Sequence, residues 1–176
     1  MTVDVPLVDT PRLLLRPWRD DDLDGYAAMC ADPEVMRYMG DGSTLDRADA
    51  WRSMAMFVGH WQLRGFGMWA VEERATQRFI GRVGLHQPEG WPGLEVGWML
   101  ARDTCDRGYA TEAARASLEF AWNVVGVEHV ISVIAPENAA SVRVAERIGE
   151  APEGTLDLNG LEVVLYGISR GGIDRP

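Results

Sequence analysis

The spacing of apolar and polar residues changes several times along the chain, and each change marks an element boundary. "TPRLLLRPW", Thr10 to Trp18, is a short apolar run that reads as a first strand closed by Pro17. "RDDDLDGYAAMCAD" switches to helical spacing, with acidic residues at its start and Leu23, Tyr26, Ala27 and Cys30 along one side. "DPEVMRYMGDG" reads as a short helical turn ending in a glycine-rich loop. From Leu45 onward, Ala50, Trp51, Met54, Phe57, Val58 and Trp61 share a helical face, and Thr44 is the expected cap. The period then shortens. "FGMWAVEE" and "RFIGRVGLH" are β-rich runs separated by polar "RATQ", which predicts a hairpin. After the turn residues "PEGWPG", the run "GLEVGWML" (Gly93 to Leu100) predicts another strand.

In the second half, residues Thr111 to Val125 predict a helix with Ala114, Leu118, Ala121, Trp122 and Val125 on one side. "EHVISVIA" predicts a strand, "ENAASVRVAERIG" a helix ending at Gly149, and "GLEVVLYGISR" a return to strand. The order is strand, two helices, three strands, helix, strand, helix, strand. It predicts an α/β fold, largely antiparallel in its first half, with a βαβ crossover in its second. No repeat, low-complexity stretch or linker divides the chain, so one domain over 1–176 is expected.

Composition narrows the function. A net charge of −10 argues against nucleic-acid binding, which rests on neutralised phosphates. It favours approach by a cationic or amine-bearing substrate, although the same charge also serves plain solubility. All 17 basic residues are Arg, which excludes a P-loop lysine and a Schiff-base lysine. Two cysteines make no disulfide framework, and three scattered histidines offer no metal-ligand spacing. No apolar run has the length of a membrane span, and "MTVDVPLVDT" lacks the pattern of a secretory leader. A cytoplasmic location is expected.

The most informative stretch is "CDRGYATEAARASLEFAW", Cys105 to Trp122. Strand, loop and helix start follow one another here, and a helix start presents unpaired N–H groups and partial positive charge. Gly108 lets the backbone approach a phosphate, Ala110 keeps the next approach clear, and Arg107 adds charge. The same glycine also fits a turn that merely needs a positive φ.

"GWML…DRGYATEAARASLEFAW" together with "PENAASVRVAERIGE" resembles the GNAT (Gcn5-related) N-acetyltransferases. With "TPRLLLRPW", it is closer to the bacterial branch of ribosomal-protein N-terminal acetyltransferases, over about residues 10 to 170. The resemblance implies a mixed, mostly antiparallel central sheet with helices on both faces, the βαβ unit holding acetyl-CoA. Strands Glu95–Leu100 and Val130–Ala135 would splay apart to admit pantetheine, with Met99 and Leu100 offering backbone groups. Cys105, Asp106, Arg107, Gly108, Tyr109, Ala110 and Thr111 would cradle the pyrophosphate. Cys105 stands where Gln or Arg is common in the family. Asn138 of the N-x-x-S pattern would bond the pantetheine arm, and it also fits as a helix cap. Ser141 would stand near the sulfur as proton donor, because the position of the family's usual tyrosine is Ala145.

Acetyl transfer to an amine also needs a base. Glu95 is the first candidate, since alternation places Glu95, Gly97 and Met99 on one face of the cleft strand; a partly solvated glutamate or one paired with an Arg fits equally. His86 is a second. Cys105 at a helix start has the setting for a lowered pKa, but it lies at the pyrophosphate end. Trp51, Trp61 and Trp69 are expected in the core, whereas Trp91 in its Pro/Gly loop is expected to be exposed. The implied activity is acetyl-CoA-dependent N-acetyl transfer to a primary amine, on a small molecule or a protein N-terminus, by direct attack in a ternary complex. A non-catalytic acyl-CoA-binding regulator is the alternative. So is transfer of another acyl group such as succinyl, which an Arg near the thioester, such as Arg82, would favour. A homodimer is common in such families.

Overall fold

The computed structural model describes residues 4–171; the ends of the expected unit over 1–176, and the first residues of the stretch read for a leader, lie outside the described residues. Eight strands form one sheet in the order β1-β2-β3-β4-β5-β6-β8-β7, antiparallel except where β5 meets β6. The strands are β1 (Val8–Asp9), β2 (Leu13–Arg16), β3 (Met68–Glu73), β4 (Arg78–His86), β5 (Glu95–Leu100), β6 (His129–Ile134), β7 (Ala151–Leu158) and β8 (Leu161–Ser169). The helices are α1 (Leu23–Cys30), α2 (Pro33–Met36), α3 (Arg47–Arg64), α4 (Tyr109–Phe120) and α5 (Ala139–Ile148).

The sheet is covered on both faces. One layer packs Tyr26, Met29 and Cys30 of α1 and Ala50, Met54 and Phe57 of α3 against Met68 and Met99. The other packs Ala113, Ala114 and Leu118 of α4 and Ile148 of α5 against Leu15, Val83, Val96 and Val130. Alternation along the strands sends successive side chains to the two layers.

Several expectations shift. The buried face of α3 is Ala50, Met54, Phe57, His60 and Trp61, while Trp51 and Val58 are 51% and 44% exposed. They lie one position round from that stripe, and at 100° per residue this is enough to reach solvent. Asp46, not Thr44, caps α3, accepting the Asp49 N–H at 2.8 Å. The helix expected from Thr111 begins at Tyr109 and ends in a π-helical turn over Ala121–Val125. Two strands were not anticipated. β1 is a two-residue edge, and β7 contains Pro152 and Gly154 beside a register shift, a composition that only an exposed edge strand tolerates.

A buried ionic cluster fastens the start of the chain. Arg16 bonds both oxygens of Asp22 (2.7 and 2.8 Å) and Glu72 Oε2 (2.7 Å), tying β2 and β3 to the turn before α1. Two carboxylates satisfy this buried guanidinium, whose pKa rises although burial opposes it.

Candidate active site

β5 and β6 touch at a single register pair, Glu95 with Ile131, where the Ile131 N–H donates to Leu94 O at 2.9 Å. Two side chains bridge the strands just beyond. Ser132 Oγ donates to Val96 O at 2.8 Å, and Glu95 Oε1 accepts the Val133 N–H at 3.4 Å. Past these bridges no further pairing joins the two strands among the described residues: β5 continues with β4, and β6 with β8. The result is a cleft open toward the strands' carboxyl ends.

The ladder decides which groups face that cleft. The Ala101 N–H donates to Ile80 O, so the two-residue alternation turns the main chain of Met99 to β4 and that of Trp98 and Leu100 toward β6. The main chain of Leu100 therefore faces the opening. Met99 does not, because its backbone groups are engaged by Arg82 in the antiparallel ladder. Its side chain is buried in the α1/α3 layer.

Glu95 sits half-buried at the closed end of the cleft, its Oε2 accepting from Trp91 Nε1 at 2.8 Å. Burial pushes its carboxyl up to about 7, against the Val133 N–H, the Trp91 N–H and the charge of Arg82, which favour ionisation. Trp91 is thus half-buried and engaged rather than exposed, its ring 5.4 Å from that of His86. His86, opposite Glu95 in register, stacks on His60 at 5.4 Å. Burial, with Arg82 and His60, lowers its pKa to about 4, so it is neutral at pH 7, and its Nδ1 has no partner.

Glu150 lies behind the cleft, 4% exposed, with Oε1 3.0 Å from Ser132 Oγ and Oε2 without a partner. Burial pushes it up to about 8, opposed by Ser132 and aided by Glu95 and Glu153. Ser132 has one hydroxyl hydrogen for two acceptors, so a protonated Glu150 supplies the second hydrogen. Sequence reading missed Ser132 and Glu150; an acidic residue after a helix-ending glycine looks like any surface glutamate.

At the cleft's outer end, Gly108 caps α4 with φ 78°, and no side chain caps that helix. Arg12, also unanticipated, fastens the loop: its Nε bonds Glu112 at 2.7 Å, its Nη1 bonds Arg107 O at 2.9 Å, and its guanidinium lies 4.6 Å over the Tyr109 ring. Tyr109 donates to Glu73 at 2.7 Å and Arg107 stands 3.7 Å from the same carboxylate, so both side chains turn to β3. Asp106 has φ 59°, Ala110 is half-buried, and buried Thr111 has an unpartnered Oγ1. Cys105 Sγ lies 3.7 Å from Ala101 O. Partial covering, then Asp106 and Asp103, raise its thiol pKa, contrary to the lowering suggested by its place near a helix start.

α5 closes the other side. Asn138 is its N-cap, accepting the Ser141 N–H at 3.1 Å, and Ser141 Oγ accepts from Trp98 Nε1 at 3.2 Å. Ala145 is fully buried. The loop, Asn138, Ser141 and Trp98 therefore lie on the α4/α5 side of the sheet, and Glu95, His86 and Arg82 on the α1/α3 side. The cleft joins them. Among the described residues no cluster of His, Cys, Asp and Glu is placed to hold a metal ion, and no helix is long and apolar enough to cross a membrane.

Residues 12–150 match the family model described as an acetyltransferase (GNAT) domain. YkkB of Bacillus subtilis is 33% identical over 148 residues, covering 80% of this chain and 82% of YkkB. The crystal structure of an acetyltransferase from Agrobacterium tumefaciens superposes with a TM-score of 0.85 at 28% identity, over 95% and 96% of the two chains. RimL, a ribosomal L7/L12 α-N-protein acetyltransferase solved with coenzyme A, shares the fold with a TM-score of 0.78 at 15% identity, over 93% and 98%. The parallel contact that opens into a cleft beside an uncapped helix start accompanies a matched domain over residues 12–150, and that match shows that this chain is an acetyltransferase belonging to the GNAT family, with acetyl-CoA as cosubstrate.

Proposed function

We propose that the enzyme moves the acetyl group of acetyl-CoA to the nitrogen of a primary amine by direct attack in a ternary complex, with Glu95 as general base. The observation that carries this reading is the Glu95 carboxyl bridging β5 and β6 at the point where they part, held by the Val133 N–H and Trp91 Nε1, where burial pushes its pKa up to about 7. Acetyl-CoA, when bound, supplies a thioester open to attack by nitrogen. The main chain from Cys105 to Thr111 would hold its pyrophosphate, since the side chains of Arg107 and Tyr109 turn to Glu73 of β3. The Nδ2 group of Asn138 is left for the pantetheine arm by a cap that uses only Oδ1. N–H groups of Trp98 and Leu100 facing the cleft would donate to the carbonyl oxygen as it gains charge, a contact worth about 3–4 kcal/mol. Glu95 takes the proton released from the attacking amine, and Ser141 Oγ gives one to the departing sulfur. The proposed setting is the cytoplasm, in keeping with two free cysteines.

The absence of a tyrosine at 145 favours a second reading, an acyl-CoA-binding protein without turnover. One titration series separates the two. Calorimetry with acetyl-CoA, succinyl-CoA and ATP should give micromolar binding of acetyl-CoA, about 8 kcal/mol, and none of ATP. Thiol release is then followed with a panel of amines. Binding without turnover on any amine selects the second reading; absence of acetyl-CoA binding overturns both.

A further inference from the structure

The α1/α3 side of the cleft contains a buried cation without a counter-ion. Arg82 on β4 is 9% exposed, and among the described residues no carboxylate forms an ion pair with it. Its Nε has no partner, its Nη1 faces only the Met68 thioether at 3.7 Å, and its guanidinium lies 4.8 Å over the Phe57 ring. The same chain shows what a satisfied buried arginine looks like: Arg16 holds two carboxylates in three short bonds. Burying an unpaired charge is costly, and structural arginines are therefore paired.

The Phe57 ring offsets part of this cost, but the titratable groups around Arg82 supply no paired counter-charge. Tyr26 and Cys30 both have pKa values raised by burial and remain neutral, and Tyr26 bonds Ser53 at 3.0 Å. His86 is neutral. Glu95 senses the charge without touching it, because Met68 stands between them. A Cβ at Gly97 would lie 2.9 Å from Met68 Cε and 3.7 Å from Glu95 Oε1. Met68 thus fills the space between base and guanidinium with a flexible, unbranched side chain, the kind that yields most readily to a ligand.

We infer that Arg82 binds a carboxylate of the acyl acceptor, so that the acceptor is an amine that also carries a carboxylate, of the amino-acid class. This rests on the acetyl-transfer reading above. The alternative source of a carboxylate is the acyl group of the cosubstrate, as in succinyl-CoA. The acceptor is favoured because Arg82 shares the face of Glu95, where the amine proton leaves, whereas the cofactor loop, Asn138 and Ser141 lie on the opposite face. Local charge here reverses the attraction for cationic acceptors that the net charge of −10 suggests.

The test uses the full chain, with Arg82→Met and Arg82→Lys. Thiol release from acetyl-CoA is measured with matched pairs: methionine and 3-(methylthio)propylamine, phenylalanine and phenethylamine, lysine and cadaverine, γ-aminobutyrate and propylamine. For at least one pair, wild type should show kcat/KM about tenfold or more in favour of the carboxylate, as loss of a charge-assisted contact implies. Arg82→Met should abolish that preference while still turning over the decarboxylated amine, with the pH profile of both members of a pair shifted upward together because Glu95 loses a charge that favours its ionisation, and Arg82→Lys should restore part of the preference. If no amine turns over, calorimetry of the CoA-loaded protein with the same pairs reads the same preference. The Tm of Arg82→Met should equal or exceed that of wild type, since the change removes an unpaired buried charge. Equal kcat/KM within every pair, a preference that survives Arg82→Met, or a fall in Tm with equal loss on both members of a pair overturns the inference. So does an Arg82-dependent preference for succinyl-CoA with the decarboxylated amines. Loss of CoA binding in wild type instead overturns the acetyl-transfer reading itself.

Discussion

Replacing Glu95 by Gln tests the proposed chemistry most directly. An alkyl amine with a pKa of about 10 is neutral in only about one molecule in a thousand at pH 7, so proton removal limits attack unless a base assists. A carboxyl with a pKa of about 7 is half ionised at pH 7, and falls to about one part in a hundred ionised at pH 5. The wild-type kcat/KM should therefore show an inflection near pH 7, with loss on the acid side as Glu95 takes up its proton. Gln keeps the volume but has one carbonyl oxygen where Glu95 uses two, for Trp91 and Val133. The lost bond should cost about 1 kcal/mol of stability, small enough to leave the fold intact. Loss of base catalysis should lower kcat/KM at pH 7 by about 10²–10⁴-fold and erase the inflection. Affinity for acetyl-CoA, read by calorimetry, should hardly change, because the loop proposed to hold the cofactor lies on the other face of the sheet. The assay is thiol release from acetyl-CoA between pH 5 and 9. Activity within threefold of wild type, or an unchanged inflection in the variant, would refute Glu95 as the base.

Two further outcomes follow from the same geometry. Glu150 has a folded pKa of about 8 against an ordinary 4.5, so between those values the folded protein keeps a proton that the unfolded chain releases. Its stabilising contribution is complete below about pH 4.5 and is lost as pH rises through 8, by an amount on the order of a few kcal/mol. In Glu150→Gln, thermal melts from pH 4 to 9 should show a flatter decline than wild type; parallel curves would contradict the assignment. Gly108 has φ 78°, where a side chain costs about 1–2 kcal/mol. Gly108→Trp should also crowd the loop and weaken acetyl-CoA at least tenfold in calorimetry, and unchanged affinity would show that the loop does not hold the pyrophosphate.

Much of the architecture was legible because local patterns and the sheet agree. The 3.6-residue spacing in "ASLEFAW" and the short apolar runs "FGMWAVEE" and "GLEVGWML" each fit one element and one buried face. The failures have local causes. β7 is polar and contains Pro152, so nothing in its composition distinguishes it from a loop until β8 lies beside it. Trp51 joined the core stripe on spacing alone, and Trp91 looked exposed because its loop is rich in Pro and Gly.

The candidate site divides in the same way. A glycine before a helix start, an N-x-x-S helix and a glutamate on a central strand are consecutive-residue features, and the sequence by itself determined them together with the family they suggest. Only the tertiary structure decided which groups face the cleft, because that depends on ladder parity: Ala101 bonding Ile80 commits Met99 to β4 and frees Leu100. It also brought Val133, Trp91 and Glu150 into the surroundings of Glu95 and left Arg82 buried without a counter-ion. A pKa or an unpaired charge is set by desolvation and by neighbours distant in sequence, and neither exists until the sheet is assembled and its two faces are covered.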